Sequence, residues 1–119
     1  MHELVSWNRK FQVWHYSVSH SVLLLRSFQP QVHETRIDVA FPAVALMHLR
    51  PSYQELRITR LDDDECSEFM QQRDINPAHG TLFLLNGGEG YVQAADCQWH
   101  EDYGDHHAPS RFGPLRGTA

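Results

Sequence analysis

The sequence predicts an α+β domain that is mainly β, with about six mostly antiparallel strands packed by one short helix near residues 63–75. Several segments alternate apolar and polar residues with the period of two that a half-buried strand requires. The spacing changes to a helical pattern after Asp62. Most connections are short, which favours antiparallel pairing in either a curved sheet or a small open barrel.

The length of the chain sets its domain organisation. A chain of 119 residues has the size of one domain and can bury enough apolar surface to fold without a disulfide or a metal. The sequence contains no internal repeat and no interdomain linker, so residues 1–119 are predicted to form a single domain. Glycine and proline are frequent near the end, which predicts a loosely ordered tail from about residue 113.

Residues 11–28 are predicted to form one long central strand. The first half alternates, with Trp14 and Tyr16 separated by polar residues. The second half becomes a continuous apolar run at residues 23–25, which predicts burial on both faces of the strand. Pro30 then ends the strand, because proline has no N–H group to donate to a neighbouring strand.

Three further strands are predicted before the helix. Residues 36–41 alternate, and Pro42 marks a bulge or a kink at a sheet edge. Residues 43–49 and 55–61 also alternate. The segment between them is polar and contains a proline, which is typical of a tight turn. We therefore expect these two strands to pair as a hairpin.

The predicted helix follows a run of acidic residues. Cys66, Phe69, Met70 and Arg73 recur at the i, i+3, i+4, i+7 spacing of one helix face. The acidic residues 62–65 suit the positive end of a helix, and an aspartate there can cap it. A helix of about ten residues is marginal alone, so its apolar stripe is expected to pack on the sheet.

The clearest hairpin is predicted from residues 81–85 and 91–100. The connection at residues 86–90 contains three glycines, which supply the positive φ angles that such turns need. It lacks a phosphate-binding pattern and is followed by a strand rather than a helix, so it is predicted to be a turn only.

Charge and cysteine content exclude several classes of protein. The formal net charge is −5 and the basic residues are scattered, which argues against binding nucleic acid. The longest apolar run, residues 22–25, is far shorter than the ~20 residues that span a bilayer. Cys66 and Cys97 form no C-x-x-C pair, and the first residues show no signal region. We expect a cytoplasmic protein with reduced thiols and no membrane contact.

No residue pattern predicts a catalytic site or a bound cofactor. His20 lies between Ser19 and Ser21 on the predicted strand, where neighbouring side chains point to opposite faces and cannot act together. Cys66 belongs to the apolar helix stripe and is predicted to be a packed thiol. The chain is therefore not expected to be an enzyme.

The nine histidines require that metal binding be considered. A structural zinc site uses four cysteine or histidine ligands, often in closely spaced pairs. His106 and His107 are adjacent, and their side chains diverge on an extended chain. The fold could bring His100 near them. These three histidines are the candidate metal ligands, and a histidine-rich metal-binding protein is one alternative function.

The acidic and aromatic residues favour a protein-binding module. The chain has more aromatic side chains than one small core needs, and exposed aromatics are effective interface anchors. Acidic residues would attract a basic partner. The predicted partner-binding residues are Trp7, Tyr53, Asp62, Asp63, Asp64 and Tyr103. The preferred function is a small, non-catalytic cytoplasmic module of the accessory, inhibitor or immunity type.

Two other arrangements are open at this stage. One is a small-ligand-binding or enzymatic β-barrel whose open end is lined by His20, His48 and His100. The other is a homodimer in which unpaired sheet edges join across a two-fold axis. A binding module should present an exposed acidic and aromatic patch, whereas a pocket protein should bring polar side chains together in a cavity.

Overall fold

The computed structural model describes residues 1–76, 78–104 and 110–112, so the tail predicted from about residue 113 lies outside the described residues. Within these ranges the chain forms ten strands and one helix. In chain order they are β1 (His2–Trp7), β2 (Phe11–Ser17), β3 (Val22–Ser27), β4 (Arg36–Phe41), β5 (Leu46–His48), β6 (Ser52–Tyr53), β7 (Leu56–Arg60), α1 (Asp63–Gln72), β8 (Thr81–Leu85), β9 (Gly90–Ala94) and β10 (Gln98–Asp102).

The strands form two antiparallel sheets of five strands each. Sheet A has the order β1-β7-β8-β9-β5, and sheet B has the order β10-β4-β3-β2-β6. The mainly β, α+β class is therefore confirmed. The strand count exceeds the predicted six, because a turn at residues 18–21 divides one predicted strand within sheet B and because the chain crosses between the sheets several times. The architecture is two packed sheets, neither a single curved sheet nor a barrel.

One hydrophobic core lies between the two sheets. Alternation along β3 and β4 sends Leu23, Leu25 and Val39 into this core. Phe41 of β4 meets Phe83 of β8 with their ring centroids 5.8 Å apart, so the contact joins sheet B to sheet A. Burial of these large apolar side chains is the main term that holds the sheets together.

The helix packs on the outer face of sheet A, as its apolar stripe predicts. Asp62 caps the helix: its Oδ1 accepts from the Glu65 N–H at 2.8 Å, and Glu65 Oε1 accepts from the Asp62 N–H at 3.0 Å. Phe69 and Met70 form a second cluster with apolar residues of β8. The predicted helix near residues 63–75 is therefore confirmed.

The segment between α1 and β8 is fastened to β9. Gln93 Nε2 donates to the carbonyl oxygens of Ala78 and Gly80, both at 3.0 Å. Gly80 has a φ of +110°, and a Cβ atom there would lie 2.5 Å from the Ala94 carbonyl oxygen. Glycine is required here because a side chain has neither the conformation nor the space.

The prediction of one long strand at residues 11–28 is wrong. The segment forms two strands, β2 and β3, which pair with each other from Gln12↔Arg26 to Ser17↔Val22. The turn between them is made of residues 18–21, and Ser21 adopts a φ of 54°. A serine in this left-handed conformation reverses the chain without the glycine or proline that usually indicates a turn.

The predicted pairing of residues 43–49 with 55–61 is also wrong. β5 pairs with β9, while β7 pairs with β1 and β8. The hairpin of β8 and β9 is confirmed, with register from Thr81↔Ala94 to Leu85↔Gly90. Its return strand is shorter than predicted, because the chain leaves sheet A after Ala94 and enters sheet B as β10.

None of the described residues belongs to a helix that is long and apolar enough to cross a membrane.

Candidate functional site

The predicted partner-binding residues lie in three regions of the structure. Trp7 is half-buried at the end of β1, and Tyr103 follows β10 with 80% of its surface exposed. The acidic residues 62–64 are exposed at the start of α1, on the outer side of sheet A. Tyr53 is only 4% exposed, and its hydroxyl accepts a hydrogen bond from the Arg50 N–H at 2.9 Å. Tyr53 is therefore a core residue, and its ring offers no surface to a partner.

The exposed aromatic and acidic side chains meet along β10. We call residues 96–103 the β10 edge, because β10 is the last strand of sheet B and is followed directly by Tyr103. β10 pairs with β4, with Trp99 opposite Val39 and Glu101 opposite Ile37. Among the described residues, no strand pairs with its other side.

Trp99 is the central aromatic residue of the β10 edge. It is 41% exposed, and its neighbours Ala95, Asp96 and Gln98 are also exposed, whereas Cys97 is buried. Trp7 of β1 meets its ring edge-to-face, at a centroid distance of 6.0 Å and an angle of 83°. Trp7 in turn packs on Phe11 at 5.1 Å. Trp99 is thus supported by core aromatics, which reduces the entropy that it would lose on binding.

Acidic side chains flank Trp99 on the same edge. The Asp96 carboxylate accepts from the Cys97 N–H at 2.8 Å and from Gln98 Nε2 at 3.2 Å. The exposed Glu101 accepts a hydrogen bond from the Thr35 hydroxyl. Glu101 also forms an ion pair with Arg9, whose Nη1 lies 3.6 Å from Glu101 Oε2. The β10 edge is therefore acidic as well as aromatic.

Two ion pairs fix β10 and β4 in place on the outer face of sheet B. Arg36 of β4 donates to Asp102 of β10 through Nε at 3.0 Å and Nη2 at 2.8 Å. These hydrogen bonds hold the pKa of the Asp102 carboxyl below its usual value. Arg26 of β3 donates in the same bidentate way to Asp38 of β4, at 2.6 and 3.0 Å. Bidentate arginine–carboxylate pairs fix geometry well, so these pairs hold β10, β4 and β3 in a defined arrangement.

The described part of the C-terminal segment lies over the Arg26–Asp38 pair. Ser110 donates a hydrogen bond through its Oγ to Asp38 Oδ2 at 2.7 Å. The guanidinium of Arg26 also lies 4.8 Å from the centroid of the Trp14 ring. The pair is almost fully buried, with side-chain exposures of 4% and 3%. The outer face of sheet B is therefore covered at this point, and the β10 edge beside it is exposed.

The three histidines of the predicted pocket occupy different elements. His20 lies in the exposed turn between β2 and β3. His48 lies on β5 of sheet A, where its ring stacks on Tyr91 at 5.0 Å. His100 lies on β10 of sheet B. The structure therefore does not bring these three side chains together.

Two shallow polar clefts lie near the β8–β9 turn. The larger has a volume of about 460 Å³, and none of the three histidines lines it. A neighbouring cleft of about 230 Å³ shares Glu55, Asn86 and Glu89 with it. In the larger cleft, Arg50 Nη1 lies 3.8 Å from Glu89 Oε2. Neither lining contains a histidine or a cysteine that could act as a general base or a nucleophile.

The two thiols are poorly suited to nucleophilic chemistry. Burial raises the pKa of Cys97 to about 12, with a further contribution from the negative charge of Asp96. Burial and the nearby charge of Asp63 also raise the pKa of Cys66. Both sulfurs are therefore neutral at pH 7, whereas the reactive form of cysteine is the thiolate.

The candidate metal ligands are only partly described. His100 Nε2 lies 3.9 Å from Asp102 Oδ2, whose carboxylate is already held by Arg36. His106 and His107 lie outside the described residues. Within residues 1–76, 78–104 and 110–112, no group of three or more histidine, cysteine, aspartate or glutamate side chains is arranged to hold a metal ion.

The chain matches no protein-family model, curated protein or solved structure. The candidate site therefore depends on its own geometry. Sequence reasoning selected Trp7 and Tyr103 but did not select Trp99, which lies between the acidic residues of the β10 edge. The excess of aromatic residues over the needs of a small core was the signal that could have identified it.

Proposed function

We propose that the chain is a small non-catalytic protein-binding domain and that the β10 edge is its binding surface. The observation that supports this most directly is the exposed Trp99 ring, which Trp7 holds in place on the last described strand of sheet B. Rigid aromatic side chains of this kind contribute much of the energy in protein interfaces. The exposed Tyr103 extends the same surface.

We infer that the partner is basic where it meets this surface. Asp96 and Glu101 lie on either side of Trp99, and the whole chain carries a formal net charge of −5. Opposite charges around an apolar centre increase the association rate and select against wrong partners. This chemistry suits an accessory, inhibitor or immunity-like protein, and the free thiols Cys66 and Cys97 suit a cytoplasmic location.

Site-specific photo-crosslinking in the native cell tests the proposal. A photoreactive p-benzoylphenylalanine in place of Tyr103 should form a discrete covalent adduct with a partner on irradiation. The added substitution Trp99→Lys should abolish the adduct, because it replaces the aromatic anchor by a charge. The same photoreactive residue in place of Asp64, on the exposed start of α1, is the matched control and should give no adduct.

The results that would contradict the proposal are equally definite. Absence of an adduct from position 103, or an adduct that survives Trp99→Lys, would exclude the β10 edge as the binding surface. An adduct from position 64 alone would move the binding surface to α1. Circular dichroism of the Trp99→Lys protein establishes that the variant is folded.

A further inference from the structure

The backbone of β10 has unused hydrogen-bonding groups among the described residues. In an antiparallel pair, alternate residues direct their N–H and C=O groups towards the neighbouring strand, and the other residues direct them away. β10 has β4 on one side and no described strand on the other. The side that no described strand occupies is therefore a template on which another extended chain can pair.

The other three edges of the two sheets are short or irregular. β5 contains three residues and β6 contains two, with Pro51 directly before β6. β1 is longer, but a shift of register between Glu3 and Val5 interrupts it. In contrast, β10 has five residues in unbroken register and contains neither proline nor lysine. Folded proteins usually protect edge strands by such devices, and β10 instead carries the two carboxylates of Glu101 and Asp102.

We infer that an extended segment of another protein adds to β10 as a sixth strand of sheet B, and that it carries an apolar side chain beside Trp99 and a lysine or arginine beside Glu101. This inference rests on the proposed function and specifies the mode of binding and the chemistry of the partner.

The side chains of β10 define what the added strand must carry. Alternation places Trp99 and Glu101 on one face of β10, with Gln98, His100 and Asp102 on the other. Directly opposite side chains on paired strands lie about 5 Å apart. An added strand would therefore bring one residue against the exposed Trp99 ring and another, two positions away, against the Glu101 carboxylate.

Charge favours a different protein over a second copy of this chain. In a pair formed by two copies of β10, Glu101 and Asp102 of both chains would lie within one five-residue ladder. Like charges on neighbouring strands are destabilising. A segment with a basic residue beside Glu101 has the opposite effect. We therefore expect the added strand to be a basic and apolar segment of another protein.

Two synthetic peptides test strand addition directly. Both are blocked six-residue chains of sequence Thr-Lys-Thr-Val-Thr-Lys, in which the valine and a lysine two positions away lie on one face of the strand. The four central amides of the second are N-methylated so that they cannot donate hydrogen bonds. In an NMR titration, the first peptide should shift the amide resonances of residues 98–102 and the Trp99 indole resonance in a saturable way. The N-methylated peptide should bind at least about tenfold more weakly, because it loses backbone hydrogen bonds to β10.

A pair of charge variants tests the basic partner. Glu101→Gln should weaken binding of the first peptide and reduce its dependence on salt. Glu68→Gln, which removes an exposed acid from α1, should leave both unchanged. Equal losses in the two variants would show that the peptide responds only to net charge and would overturn this part of the inference.

The remaining outcomes separate this inference from the proposed function. If the photoreactive residue at position 103 forms its adduct but both peptides bind equally well, the proposed binding at the β10 edge is supported and strand addition is refuted. Shifts centred on α1, or no shift at millimolar peptide, would also refute it. If the chain alone protects its β10 amides from hydrogen exchange as its concentration rises, the occupant is a second copy and the inference is wrong.

Discussion

The Arg26–Asp38 pair places two opposite charges where almost no water reaches them. Removing charges from water costs several kcal/mol for each ion, and the cost is recovered only when the pair is complete and well hydrogen-bonded. Here the two hydrogen bonds of the guanidinium and a third from Ser110 satisfy the carboxylate. The intact pair therefore adds little to the free energy of unfolding, whereas loss of one member lowers that free energy strongly.

We expect Asp38→Ala to lower the free energy of unfolding by about 3–5 kcal/mol, because it removes the buried carboxylate to which Arg26 donates at 2.6 and 3.0 Å. Urea denaturation followed by far-UV circular dichroism measures this change. The double variant Arg26→Met, Asp38→Leu should recover most of the loss, since it replaces both buried charges by apolar side chains and leaves neither charge alone. A loss below about 1 kcal/mol in the single variant would contradict the buried pair.

The sequence predicted on which face of its strand a buried charged residue lies, but it did not predict which residue of the neighbouring strand it pairs with. Alternation alone separates Asp38 from Ile37 and Val39, as the structure has it. It does not place Arg26 opposite Asp38, because the register between strands depends on the lengths of turns that the sequence leaves open. Tyr53 shows the same limit, since its polar neighbours predict a surface loop while β6 places its ring in the core.

At the scale of elements, the turn at residues 18–21 shows why one long strand was predicted. The segment alternates apolar and polar residues up to Ser21 and contains no glycine or proline. Ser21 nevertheless takes a positive φ, which only a few per cent of non-glycine residues adopt. The reversal is stabilised by the pairing of β2 with β3 and by the Val44 N–H, which donates to the Ser21 carbonyl oxygen at 2.8 Å. The pairing of β2 with β3 therefore decided that the segment forms two strands, and the local residue pattern carries no information about that pairing.

The helix was predicted well because its signals are local. Asp62 and Glu65 are three residues apart, and each accepts a hydrogen bond from the backbone N–H of the other. The hydrogen bonds of this reciprocal cap lie within a four-residue segment, although Glu65 also accepts from the N-terminal ammonium of Met1. The helical spacing of Phe69 and Met70 then decides which face packs on sheet A.

Asp62→Ala should therefore reduce the free energy of unfolding by about 1 kcal/mol, the usual cost of losing a helix cap. Asp64→Ala is the matched control: it removes the same charge from the first turn without removing the cap, and we expect a change below about 0.5 kcal/mol. Equal losses in urea denaturation of the two variants would show that charge, rather than the capping hydrogen bonds, accounts for the effect.

At the scale of the whole molecule, the two sheets depend on one shared core. The Phe41–Phe83 contact and the aromatic group of Trp7, Phe11 and Trp99 all join residues of different sheets. Residue periodicity predicted half-buried strands but not their division between two sheets, because a half-buried strand has the same pattern in a barrel, a curved sheet or two packed sheets. The β10 edge was missed for that reason, since an edge exists only once the strand order is known.

The chemical labelling of Cys97 measures whether this shared core unfolds as a unit. It lies where the chain passes from sheet A to sheet B, it is buried, and its pKa is raised to about 12. At pH 8 we expect iodoacetamide to modify Cys97 only when the molecule unfolds globally. In urea, peptide-resolved mass spectrometry of Cys97 labelling should then give the same midpoint as circular dichroism. Labelling at lower urea would instead show local opening between β9 and β10.

The strand order of sheet A has a consequence for synthesis on the ribosome. β5 pairs with β9, and the face on which α1 packs is provided largely by β8. β5 and α1 therefore cannot make these contacts until β8 and β9 have been synthesised. Until β8 and β9 have left the exit tunnel, β1 and β7 form only one margin of the sheet, and the apolar stripe of α1 has no surface to cover. β5 and the apolar stripe of α1 are therefore exposed to solvent until the strands that they contact have been made. A chaperone that binds nascent chains would protect the largest apolar surface just before residue 95 emerges.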